Sequence, residues 1–83
     1  MTEPDPAEHR PAYLRLRRKE TRIRPDQELA LTQLRQRLNT QREHPGERLT
    51  ENSLIRIAID LLLTREHTLT GGDETALRTQ LDL

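Results

Sequence analysis

The sequence predicts a mainly α-helical fold with one short β-strand, completed as a homodimer through a two-stranded antiparallel ribbon between subunits. Three observations predict it. Thr21-Arg22-Ile23-Arg24 reads as a strand, yet the chain shows no second strand to pair with it. Unpaired backbone N–H and C=O groups make such a segment a template for another chain. The second helical stretch, Leu54 to Leu63, carries apolar residues on two stripes, more than one short amphipathic helix can cover. Finally, the 83 residues are only 31% hydrophobic, with no Phe, no Trp and one Tyr, a poor basis for a self-sufficient core.

Composition narrows the alternatives. With no cysteine, disulfides and thiolate metal sites are excluded. His9, His44 and His67 are far apart and show no ligand spacing, so no metal or cofactor is expected. No nucleophile–base pair or phosphate loop is visible, and the chain does not read as an enzyme. No apolar run approaches the ~20 residues a membrane span needs, and the Pro- and acid-containing N-terminus is no signal peptide. A cytoplasmic protein is expected. The net charge of zero is unevenly spread. Residues 10–24 hold Arg10, Arg15, Arg17, Arg18, Lys19, Arg22 and Arg24 against Glu20 alone, which is +6 and leaves −6 for the remainder. Basic stretches of this kind meet polyanions, above all nucleic acid.

Taken in order, residues 1–17 read as a flexible basic arm, with Pro4, Pro6 and Pro11 among acids and small residues and with Arg10, Arg15 and Arg17 as its bases. Residues 18–67 read as the folded domain. Across Lys19–Arg24, Thr21 and Ile23 lie on one side and Glu20, Arg22 and Arg24 on the other. Ile23 must face the core, because the opposite register buries unpaired arginines. Arg18, Glu20 and Arg22 then face outward.

The first helix begins at Pro25-Asp26, since Pro suits a first turn and Asp26 and Glu28 suit the positive end of the helix dipole. Leu31, Leu34 and Leu38 form its apolar stripe, Leu29 lies off it, and Asn39 reads as the stop. Residues 40–49 form a polar connection with Pro45-Gly46 as the turn signal. Thr50 then reads as an N-cap, with Ser53 in place of the usual Glu of a capping box. One stripe of the second helix is Ile55, Ala58, Ile59 and Leu62, and the other is Leu54, Ile57 and Leu61. These residues, with Ile23, Leu31, Leu34 and Leu38, make the expected dimer core. Arg56 and Asp60 mark the solvated strip. Residues 68–83 read as a tail. Gly71-Gly72 breaks the chain, and Asp73 caps a short helix anchored by Leu77 and Leu81.

From Lys19 to Glu66 this order of elements resembles the ribbon–helix–helix family of bacterial repressors, which includes the Arc and methionine repressors. The similarity rests on the basic alternating strand, the Pro-Asp helix start, Leu31/Leu34/Leu38, the Gly-containing turn and Thr50-Glu51-Asn52-Ser53-Leu54-Ile55. The resemblance implies an intertwined homodimer whose β-ribbon enters the DNA major groove. It assigns base contacts to Arg18, Glu20 and Arg22. It assigns phosphate contacts to Lys19 and Arg24 and to the start of the second helix at Thr50, Glu51, Asn52 and Ser53. Glu20 departs from the family pattern, and Glu51 is awkward if its side chain faces a phosphate.

The expected function is a sequence-specific DNA-binding dimer, able to assemble further on DNA, acting as a repressor or as an accessory protein in plasmid partition or conjugation. The alternative is an antitoxin whose segment after Gly71-Gly72 binds a toxin. A third reading is a dimeric adaptor that does not bind DNA.

Overall fold

The computed structural model describes residues 15–42 and 46–83. Among the described residues, three α-helices follow one another after Arg15: α1, Pro25–Gln41; α2, Glu51–Thr64; and α3, Glu74–Gln80, with a 3₁₀ turn at Glu66–Thr68 between the last two. The N-terminal stretch including Arg10, and the linker residues 43–45 with His44 and Pro45, lie outside the described residues.

The expected strand is not formed. Among the described residues there is no β-strand, hence no ribbon and no intertwined dimer built on one. Residues 17–24 are non-helical, and 17–23 make no backbone–backbone hydrogen bond with any described residue. The physical reason is that a strand is a property of a pair. Alternation decides which side chains share a face, but it supplies no ladder. Arg24 is extended (φ −72°, ψ 151°), which the following proline alone requires by crowding the helical region of its predecessor.

Pro25 occupies the first turn of α1, where a missing N–H costs nothing. Arg24 precedes the helix without a side-chain acceptor, and Gln27 compensates by accepting the Arg24 N–H through Oε1 at 2.9 Å. The helix passes Asn39 by two residues. Asn39 is therefore no stop, and it is the one buried polar residue described, 5% exposed. Its Nδ2 donates to the Leu49 carbonyl at 2.9 Å, and its Oδ1 accepts the Leu49 N–H at 2.8 Å. One amide thus satisfies both backbone groups of the residue just before the α2 cap and ties the two helices together across the connection.

The second tie is between Thr32 on α1 and Glu51 in the first turn of α2, the hydroxyl donating to the carboxylate. With both ends of the linker so held, α1 packs on α2. Leu31, Leu34, Leu38, Leu49 and Leu54 are all half-buried.

The rest of the expected core is uncovered. No apolar residue among those described is buried. Ile23, Ile55, Ile57, Ala58, Ile59, Leu61 and Leu62 are exposed in the single chain, Leu61 to 61%.

The end of the chain folds on itself. Asp73 accepts the Ala76 N–H at 2.8 Å and caps α3. Gln80 reaches back, accepting the Thr70 N–H at 3.0 Å and the Gly71 N–H at 3.3 Å while donating to the Thr70 hydroxyl at 3.0 Å. A Cβ on Gly71 would stand 2.7 Å from the Ala76 Cβ, so this closure needs glycine. A seven-residue helix is marginal by itself in water, and these contacts are what hold it.

Asn39→Ala removes both bonds to Leu49 and leaves two backbone groups unpaired in a covered site. The expected loss is about 1–3 kcal/mol, read as a lower urea midpoint at fixed protein concentration. An unchanged midpoint would mean the amide clamp does not hold the helices together.

Candidate nucleic-acid interface

The segment before α1 runs beside the first half of α2, and the two enclose an open groove of about 1160 Å³. Arg17, Arg18, Lys19 and Glu20 line it from the segment, together with Leu16, Thr21 and Ile23. Asn52, Ile55, Arg56 and Ile59 line it from α2. The groove therefore brings together two residues expected at base edges, Arg18 and Glu20, and two expected at phosphates, Lys19 and Asn52. Arg22 is exposed and lies outside this lining. Glu20 and Ile23 border the same groove, although alternation placed them on opposite faces. Strict alternation holds for a pleated ladder, and none is present here.

Electrostatics separate the bases into two groups. Arg24 is committed to its own helix start, with Nε 3.0 Å and Nη2 3.3 Å from the Asp26 carboxylate. That hydrogen bond, with the opposite charge behind it, holds the Asp26 carboxyl below its ordinary value of 3.8. Its support for α1 is thus present at neutral pH and is lost as pH falls through the lowered value. Arg15, Arg17, Arg18, Lys19 and Arg22 are exposed, and none makes an ion pair with another described residue. Residues 15–24 hold six bases and one acid, a net +5.

The start of α2 closes one end of the groove. Thr50 Oγ1 accepts the Ser53 N–H at 3.1 Å, as its cap position implied. The Thr50 and Ser53 hydroxyls are 3.0 Å apart, and Arg56 Nη2 donates to Ser53 Oγ at 3.2 Å. The Glu51 and Asn52 N–H groups belong to the first turn, where no carbonyl precedes them within the helix. The Glu51 carboxylate accepts the Thr32 hydroxyl of α1, so it remains an acid in the first turn of α2. Arg56 was read as part of a solvated strip. The structure turns it towards the first turn of α2, and its i,i+3 spacing from Ser53 is the signal that marks it.

Among the described residues no cluster of acids and histidines is arranged to hold a metal, and no helix is long and apolar enough to cross a membrane. Comparison of the chain with protein-family models, with curated proteins and with solved structures returned no match.

Thr50→Ala deletes the α2 cap and is expected to lower stability by about 1 kcal/mol, measured by urea unfolding. Thr50→Asp keeps an acceptor and should hold that stability. Equal losses from both would show that the cap bond is not what starts α2.

Proposed function

We propose that this chain binds double-stranded DNA as a homodimer, in the service of repression or of plasmid partition or conjugation. The observation that carries the reading is the stretch 15–24, exposed throughout, whose bases apart from Arg24 have no acidic partner among the described residues. Concentrated positive charge on one strip of a chain with no net charge is the electrostatic footprint of a polyanion site.

The roles divide by reach and by chemistry. Arg18 and Arg22 are planar bidentate donors of the kind that reads guanine O6 and N7 in the major groove. Lys19, as a point charge, serves phosphate. The first turn of α2 offers the Glu51 and Asn52 N–H groups and the Thr50–Ser53–Arg56 cluster to a second phosphate. Recognition proceeds from this basic segment, one copy from each subunit.

The homodimer follows from covering α2. Ile55, Ile57, Ile59, Leu61, Leu62 and Leu63 are all exposed on a 14-residue helix. An apolar surface of that extent marks an interaction site. A second copy covers both faces at once through an isologous contact.

Duplex affinity should fall steeply with salt, with a log–log slope of about −0.9 for each phosphate neutralised, followed by fluorescence anisotropy. Affinity that ignores salt, or no binding to any duplex, would refute DNA binding. On a selected site, Arg22→Ala should cost about 1–3 kcal/mol of discrimination, whereas neutralising Lys19 should weaken all duplexes alike. Leu61→Asp should abolish dimerisation in sedimentation. A well-formed dimer of that variant would remove α2 from the interface.

A further inference from the structure

A second groove lies at the other end of α2. It holds about 290 Å³ between Ala58, Leu61, Leu62 and Arg65 on one side and Leu81 and Leu83 on the other. Five of these six residues are apolar, and Leu83 is 77% exposed. The wall opposite α2 is a built one. Asp73 and Gln80 fix α3 at its two ends. Beyond α3 the chain turns through Asp82 at φ 62°. The Leu83 N–H donates to the Arg78 carbonyl at 2.8 Å, and the Asp82 N–H to the Thr79 carbonyl at 3.1 Å. This is the paired closure of a helix end in which glycine usually takes the left-handed position. Asp82 bears a steric cost there that glycine would not, and the turn it completes sets Leu83 at the groove.

We infer that the occupant of this groove is α2 of a second copy, so that Leu81 and Leu83 form part of the homodimer interface. The inference rests on the dimer proposed above and adds to it a role for the C-terminal segment. Continuity carries it. Leu61 and Leu62 belong both to the uncovered face of α2 and to the groove lining, so a chain laid over that face also crosses Leu81 and Leu83. An isologous contact sets the same patch against itself, and the exposed Ile57 and Leu61 side chains of α2 are the apolar knobs an apolar groove accepts. Charge agrees. Arg65 stands at the rim with no ion pair to a described residue. Asp60 on α2 and Glu66 in the 3₁₀ turn also have none, and a two-fold related copy brings its own acids to the Arg65 of its partner.

The chain has no cysteine, so Leu83→Cys introduces a single thiol as a reporter. Its maleimide labelling is followed in the full chain at concentrations below and above the dimer dissociation constant, which sedimentation supplies. Labelling is expected to slow at least about tenfold on dimerisation, as for a side chain passing from solvent into a packed contact. Leu83→Lys is expected to raise the dissociation constant at least about tenfold, because it buries a charge beside Arg65, a groove residue of the same sign. Circular dichroism checks that its helices persist, and the thiol result decides if they do not. A dimer whose thiol labels as fast as the monomer's overturns the inference and leaves the groove to a different occupant, while the dimer itself stands. A chain that stays monomeric at every concentration overturns the dimer and this inference together.

Discussion

The constraint on which everything else depends is the missing cover over α2. A 14-residue helix with six large aliphatic side chains in water leaves the hydrophobic effect, the main favourable term of folding, largely unused. α1 supplies one side only, and its leucines reach half-burial. No disulfide or clustered metal ligands among the described residues make up the deficit. The single chain is thus a set of well-started helices with the apolar surface of α2 still open.

Polar contacts give this open arrangement its geometry. The Asn39 amide reads both backbone groups of Leu49, and Thr32 donates to Glu51. Together they hold the start of α2 against α1 from two directions. The second contact also fixes the Glu51 carboxylate, the acid of the α2 first turn, on the Thr32 hydroxyl of α1. At the start of α1 the ion pair with Asp26 withdraws Arg24 from the unpaired bases.

Features governed by chemistry three or four residues apart were legible in the sequence. Thr50 and Asp73 cap their helices because a short side chain can reach an N–H three residues on, and Leu31, Leu34 and Leu38 share a face because 3.6 residues make a turn. Features governed by distant partners were not. Asn39 looks like a helix stop, and its actual role depends on Leu49 across the connection. Thr21-Arg22-Ile23-Arg24 has the alternation of a strand, but alternation cannot provide the second strand, and the extended geometry at Arg24 is explained by Pro25. Asp82 at a left-handed position was hidden because glycine is the usual residue there. For the candidate interface, the concentration of bases was plain from charge alone. That Arg56 joins Ser53 and that Arg24 is occupied are contacts two or three residues apart, whereas the bond of Glu51 to Thr32 required the packing of α1 on α2.

The central claim is that this chain completes its fold by covering α2 with a second copy, and the concentration dependence of unfolding tests it most directly. When folding and dimerisation are coupled, stability is inseparable from protomer concentration. The account predicts a urea midpoint that rises steadily as total protein is raised over several decades. A midpoint that stays the same across that range would contradict it, because the single chain would then be stable with α2 uncovered.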